Sequence, residues 1–313
     1  MDTRQASLIA RYSARYSVRG GIGLVFLLLS LTFGLVVAQL TLQPVEMIVK
    51  QEQQQSKKKA AMDKDELTRR VVARMVPEVR PVVAWFLTPS VAPGEEPDED
   101  AVEEGKRFAA HLTEEHPMLL SAILLILLYG WPLCASFGAF DLYAGDIASR
   151  QLRYQLLRAD RASIYFGRLL GVMMTFVIVL TILGATIAIY MGLKLPIYAM
   201  GDLLAWAAYG VAALLVVTLP YVALCAWISA SVSSSLISLT VTSAIIGGVP
   251  LVAMAGKFAW EPLRHVDVAL PWGFQTRLFH PDWSQVGLAA LGCIAQASVF
   301  TWLGFRKFTK RDL

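Results

Sequence analysis

The sequence predicts an all-α membrane protein with six transmembrane helices. Three observations carry this. Of 313 residues, 56% are hydrophobic, and only 17% are charged, against about 25% in a soluble domain. The apolar residues fall in six long runs instead of being spread along the chain, and about 20 consecutive apolar residues cross the hydrocarbon core. The basic segments between runs alternate with poorly basic ones. Mean hydropathy is +0.54.

The predicted spans are Gly21–Leu42, Pro117–Phe140, Leu169–Leu193, Leu203–Ile228, Leu236–Ala255 and Val286–Phe305. Helices are expected because each satisfies its own backbone hydrogen bonds in lipid. The first run follows a basic segment, as in a signal peptide. It continues through Leu40 and further spans follow, so it reads as an uncleaved first helix. Cys134, Cys225 and Cys293 all lie in apolar runs, which points to packing and not to disulfides or zinc.

Lys and Arg placement orients the chain. Arg4, Arg11, Arg15 and Arg19 precede the first span. Arg150, Arg153, Arg158, Arg161 and Arg168 lie between the second and third, and Arg306, Lys307, Lys310 and Arg311 follow the sixth. Six spans place all three groups on one side, which the positive-inside rule makes cytoplasmic. The other face holds Lys194, Lys257, Arg264 and Arg277 in its short loops. The expectation is a multi-pass protein of the inner (plasma) membrane with both termini inside.

Residues 1–20 read as an N-terminal amphipathic interfacial helix, with Leu8, Ile9, Tyr12, Tyr16 and Val18 towards lipid and arginines towards headgroups. Residues 43–116 form a long extracytoplasmic hairpin. Its first arm, Val45 to Val76, is rich in helix formers and extends span one. Pro77, Pro81, Pro89, Pro93 and Pro97 are expected to break regularity, and the acidic stretch Glu95 to Glu104 to lead into a second helix. Val82, Val83, Trp85, Phe86 and Leu87 form an apolar patch. It caps the hairpin, lies on the membrane or docks a partner, and capping is the favoured reading. Between spans five and six, Trp260, Trp272, Phe274, Phe279 and Trp283 suggest an interfacial belt. Gly184, Ala185, Gly210, Ala212 and Gly247-Gly248 are expected to let helices approach closely.

The segment 141–168 is polar and basic, with Ile147, Leu152, Leu156 and Leu157 at helical spacing. Such a helix would dock in a groove of a soluble partner or rest on anionic headgroups. The turn Ser229 to Ser235 lies on the same side. There is no Gly-rich run ending in Gly-Lys-Ser/Thr, so the chain carries no phosphate cradle of that kind. His111 and His116 lie five apart with Glu114 and Glu115 between them, a spacing that would not share a helical face. No metal is expected there, nor any catalytic set or nucleic-acid partner. The spans hold almost no ionisable residues, which argues against proton-coupled transport.

The stretch from Phe140, FDLYAGDIASRQLRYQLLRADRASIYFGRLLG, resembles the signature connection of type-2 ABC exporter permeases. Asp141 stands at the family's first acid and Gly145-Asp146 at its Gly-Glu position. Arg150, Leu152, Leu156, Leu157 and Arg161 follow in order, and Gly167-Arg168-Leu169-Leu170-Gly171 matches the entry to span three. The tail FRKFTKRDL is similar to the family's C-terminal tails. The usual Gly-Thr-Leu stands here as Arg150-Gln151-Leu152, and the usual proline is absent, with Asp160 nearby.

The resemblance implies the transmembrane permease subunit of an ABC transporter. It would export or extract a substrate using ATP, with Mg, bound by a separate ATP-binding subunit, and would be no enzyme by itself. It implies a second permease subunit, identical or not, and a coupling contact with the ATPase through Asp146, Arg150, Arg153, Tyr154, Leu157 and Arg158, with the Ser229 to Ser235 turn as a second contact. Met173, Met174, Tyr190, Trp206, Tyr209, Tyr221 and Trp227 are candidates for the cargo path, beside ordinary helix packing. Residues 43–116 are the candidate site for an extracytoplasmic partner, and lipid surrounds the spans. The alternative is a non-transporting membrane scaffold whose extracytoplasmic loop binds a partner protein.

Overall fold

The computed structural model describes residues 2–19, 21–56, 64–87, 99–259 and 270–311. The expectations for Pro89, Pro93, Pro97, Glu95 to Asp98, Trp260, Pro262 and Arg264, and for the side chains of Tyr16, Val18, Arg19, Phe86 and Lys257, lie outside the described residues.

Among the described residues there are helices and no strands. They are α1 (Thr3–Arg19), α2 (Ile22–Ser56), α3 (Lys64–Leu87), α4 (Glu99–Ala110), a π-turn (His111–Glu115), α5 (Met118–Ala139), α6 (Ala144–Ala148), α7 (Gln151–Leu156), α8 (Arg161–Lys194), α9 (Met200–Ser231), α10 (Ser235–Ala259), two 3-10 turns (Pro271–Gly273 and Gln275–Phe279) and α11 (Trp283–Lys310). Six of these, α2, α5, α8, α9, α10 and α11, are long and apolar enough to cross a membrane. Each covers one of the six apolar runs.

The bundle is built around α5 and α9. Leu120, Ile123, Leu127 and Trp131 of α5 are buried, as are Leu214, Val217, Tyr221 and Cys225 of α9. Trp131 Nε1 donates to Thr218 Oγ1 at 2.8 Å, so the buried indole has a partner. Gly210 admits Leu124, and Gly184 admits Val211. At Gly247 and Gly248, by contrast, nothing among the described residues lies within 4 Å of an added Cβ, so the close approach expected there is not made by them. α10 and α11 lie at the periphery, with Leu236, Leu251, Leu288 and Leu291 outward. The three cysteines are free.

The two ends of the bundle differ. The basic end gathers α1, the α5–α8 connection, the α9–α10 turn and the end of α11. The hairpin end gathers the end of α2, α3, α4, the π-turn and the 3-10 turns. There, Lys194 pairs with Glu46 at 3.2 Å and Arg107 with Asp282 at 3.2 Å.

α1 lies along the start of α8, not free of the bundle. Gly167 and Gly171 make this possible. A Cβ on Gly167 would sit 2.8 Å from the Ala6 carbonyl oxygen, and one on Gly171 would sit 2.7 Å from that of Ala10. Ala6 and Ala10 are buried in return. Small residues four apart on both helices let two backbones meet, the packing that lipid-embedded helices favour. Ile9, expected towards lipid, packs on Gly167 instead. Leu8 and Tyr12 do face outward.

The hairpin also corrects an expectation. Pro77 and Pro81 lie inside α3 without ending it. The chain is held helical by its neighbours: Leu67, Val71 and Val72 are buried against the same core as Val45 and Val49 of α2. Arg74 pairs with Glu52 at 3.2 Å. The apolar patch at its end only partly caps the hairpin, since Val83 and Leu87 pack inward while Val82 and Trp85 face out.

Replacing Gly171 with Val is expected to lift α1 from α8 and cost about 1–3 kcal/mol, because a backbone oxygen cannot yield to an inserted side chain. With the native cysteines replaced, a cysteine at Ala10 (1% exposed) should resist maleimide in the parent. It should react quickly beside Gly171→Val.

Candidate functional site

The basic end carries the segment that resembles a coupling connection. α5 ends at Ala139 and α8 begins at Arg161, and between them lie two short helices, α6 and α7. The single expected helix is broken at Arg150, whose φ of 59° is left-handed, a conformation costly for a side-chain-bearing residue.

The connection is tied to the bundle at four points. Asp141 Oδ1 accepts from the Gly145 N–H at 2.7 Å and from Ser235 Oγ at 2.6 Å. A Cβ on Gly145 would sit 2.8 Å from the Asp141 carboxylate, so a side chain there would require that carboxylate to shift. The Tyr143 and Ala144 N–H groups both donate to Ser229 Oγ, at 2.9 and 3.0 Å. The Tyr143 hydroxyl donates to the Tyr165 carbonyl at 2.8 Å, and the two rings stack at 5.1 Å. Finally, Arg168 of α8 reaches across with its guanidinium. It donates to the Leu142 carbonyl and to Gln155 Oε1, both at 2.9 Å, and pairs with Asp146.

The six candidate coupling residues therefore divide. Asp146 is turned inward to Arg168, with side-chain exposures of 26% and 14%, and braces the segment. Arg150, Arg153, Tyr154, Leu157 and Arg158 all face out. Tyr154 is 74% exposed and Leu157 83%, while Leu152 is buried and anchors α7 beneath them. Of the second candidate contact, Ser229 is buried as the acceptor just described, and Ser231 and Ser233 are exposed.

Sequence reasoning missed a second layer of ties. Asp160 caps α8: Oδ2 accepts from the Ser163 N–H at 3.1 Å and Oδ1 from its hydroxyl at 2.6 Å. The Ser163 hydroxyl holds the exposed Asp160 carboxyl below the usual carboxylate range. Arg161 donates to the carbonyls of Thr309 and Arg311 at the end of α11. Arg311 in turn donates to those of Ala230 and Val232, at 2.9 and 3.1 Å. Spent helix carbonyls are natural acceptors for such cations. An aspartate three residues before a serine at a helix start was the one legible signal.

The cargo-path candidates do not share one wall. Met173 and Met174 lie near the basic end of α8, half-buried and outward. Tyr190, half-buried, bonds Gln39 at the hairpin end. Trp227 stacks on Phe300, and Tyr221 is buried in the bundle. Trp206 and Tyr209 belong to a ring stack at the hairpin end: His116 lies 3.5 Å from Trp206, which lies 5.0 Å from Tyr209. Trp206 Nε1 donates to Ser121 Oγ at 3.0 Å.

The histidine spacing is also corrected. The π-turn widens the helix by one residue, and this brings the His111 and His116 rings to 4.7 Å. His111 Nδ1 lies 2.7 Å from Glu115. No cluster of three His, Cys, Asp or Glu able to hold a metal occurs among the described residues. Burial lowers the pKa of His116 from 6.5, and nearby His111 lowers it further, against Glu115. Of the 3-10 segment, Phe279 is buried, Trp272 and Phe274 half-buried, and Trp283 alone of these aromatics is openly exposed, so the expected belt is mostly packed protein.

No protein-family model matches this chain, and no curated protein matches it in sequence.

Two outcomes follow from these contacts. Arg168→Ala leaves the Asp146 carboxylate half-buried and unpaired. Full burial would make that cost 3–5 kcal/mol, and the partial exposure here reduces it to about 2 kcal/mol. Arg168→Lys keeps the charge without the fork and should recover only part. Thermal unfolding measures both, and adding Asp146→Asn to Arg168→Ala should restore stability. For His116, the folded state resists protonation, so its contribution to stability is full above about pH 6.5 and falls as pH drops below that towards the lowered pKa. Chemical unfolding from about pH 8 to about pH 5 should show this slope, and His116→Asn should flatten it.

Proposed function

We propose that the chain is the membrane-spanning subunit of an ATP-driven exporter, and that an ATPase subunit from another chain docks on Arg150, Arg153, Tyr154, Leu157 and Arg158. One observation supports this above the rest. Tyr154 on α7 and Leu157 just after it stand largely exposed outside the six spans, while α7 is held to α8 through Gln155 and Arg168 and the backbone at the start of α6 is held to α9 through Ser229. Neither the bundle core nor a lipid-facing span accounts for them there. A surface meant to receive a push needs such rigidity, since energetic coupling travels through elements that move as one piece.

The basic end is then cytoplasmic. Arg4, Arg11, Arg15, Arg153, Arg158, Arg306, Lys307 and Lys310 gather there, as the positive-inside rule requires. Both termini face the cytosol, and the hairpin of α2, α3 and α4 faces outward. α1 lies at the cytoplasmic interface, with Leu8 and Tyr12 towards lipid. The transporter works as a dimer with a second permease subunit. The ATP and its Mg belong to the ATPase chain, and the Tyr154–Leu157 surface supplies only the mechanical contact.

The test is affinity purification from the native membrane with mass spectrometry and an ATPase assay. A nucleotide-binding partner is expected at one copy per permease. The Tyr154→Asp, Leu157→Asp double variant should lose that partner and its ATPase activity. Both sites are exposed, so its melting should stay within about 0.5 kcal/mol of the parent. Retention of the partner by this variant refutes the docking assignment.

A further inference from the structure

At the hairpin end, a cleft of about 580 Å3 opens between α3 and α4, within the size range of small-molecule sites. Its wall is apolar: Val76, Pro77, Pro81 and Ala84 on α3 face Val102 on α4. Trp85 stands at the rim, 79% exposed. Three charged side chains border the space. Arg80 donates to Glu114 at 2.7 Å, so those two charges offset each other. Lys106 has no ion pair among the described residues. Among the described residues that border it, the cleft thus carries one net positive charge beside an apolar wall.

Its position narrows the ligand. Glu114 lies four residues before Met118, the first residue of α5, and α5 is one of the helices apolar enough to cross a membrane. The Glu114 edge therefore sits where headgroups meet acyl chains. The side chains of Val76, Pro77, Pro81 and Ala84 present only carbon to the space, so that wall suits a hydrocarbon chain. A cation beside such a wall suits a single negative charge at the end of the chain.

We propose that this cleft binds an anionic bilayer lipid. One acyl chain lies along the proline-lined wall, and the phosphate sits on Lys106 with Arg80 as a second donor. This inference stands apart from the transport reading, because it uses only the hairpin and the start of α5.

The test uses the full chain in phosphatidylcholine nanodiscs holding a small fraction of lipid with brominated chains, which quench nearby tryptophan. The signal of Trp85 is the difference between the parent and Trp85→Phe. Brominated phosphatidylglycerol should quench that signal more strongly than brominated phosphatidylcholine at equal fraction. Lys106→Glu should cut this preference about tenfold, the effect of losing one charge-assisted contact. Glu114→Gln should move it the other way by freeing Arg80. Ala84→Phe, which fills the cleft, should remove Trp85 quenching by either lipid. Equal quenching by the two lipids overturns the proposal. So does an unchanged preference in both charge variants, or displacement of the lipid by an added soluble protein partner. Quenching seen only with a brominated fatty acid added from water also overturns it.

Discussion

The Arg168 guanidinium is the contact on which the arrangement of the basic end depends. It sits in the second turn of α8 and reaches back to a carbonyl just beyond α5, to Asp146 in α6 and to Gln155 in α7. Removing it would leave two short helices of five and six residues, far below the length at which an isolated helix holds itself together. Their geometry therefore comes from tertiary contacts and not from local propensity. Arginine suits the position better than lysine because its planar fork serves three acceptors at once. The neighbouring glycines are not decoration. Gly167 and Gly171 flank Arg168 and seat α1 against the same turns, so the motif Gly-Arg-Leu-Leu-Gly does two jobs on two sides of one helix.

The six spans were legible because the signal is long. Twenty apolar residues in a row admit few readings, and each helix covers its run. What escaped was decided by neighbours. Pro77 and Pro81 read as breakers, yet α3 continues through both because Leu67, Val71 and Val72 are locked against α2. A proline removes one hydrogen bond, and several buried side chains outweigh it. The π-turn escaped for a different reason. One extra residue in a turn leaves no compositional trace, but it brings His111 and His116 together and lays His116 on Trp206.

At the candidate site the residue types were legible and their roles were only partly so. The charged residues of 141–168 looked alike on paper. The fold separates Asp146, Arg161 and Arg168, which hold the segment in place, from Arg150, Arg153 and Arg158, which face out. Nothing in sequence spacing distinguishes these sets, because the partners of the first set are brought together by the fold: Asp146 and Arg168 meet across 22 positions, and Arg161 meets residues about 150 positions away. Tyr154 and Leu157 were named through the resemblance, and both side chains are exposed. The cargo path was read from aromatic residues and two methionines, and such side chains are also what a helix bundle uses to fill its core. Trp206 and Tyr221 illustrate this, both buried among neighbours.

On the proposed reading, these ties set how a push on α7 spreads. α7 is held to α8 through Arg168 and, through α6, to the end of α9 via Ser229. Arg161 joins the start of α8 to the end of α11, and Arg311 joins that end to the α9–α10 turn. Three of the six spans, α8, α9 and α11, are thus linked in a closed loop of hydrogen bonds at one end of the bundle. A displacement of α7 cannot bend α8 alone without breaking charge-assisted bonds, each worth more than an ordinary one. The cheaper response is for α8, α9 and α11 to tilt together. Such a tilt leaves helix interiors intact and concentrates change at the looser contacts. Among the described residues α10 hydrogen-bonds to this end of the bundle through Ser235 and Ser238, and its Gly247-Gly248 step meets none of them. The motion would then be delivered at the periphery of the bundle, where a second subunit would receive it.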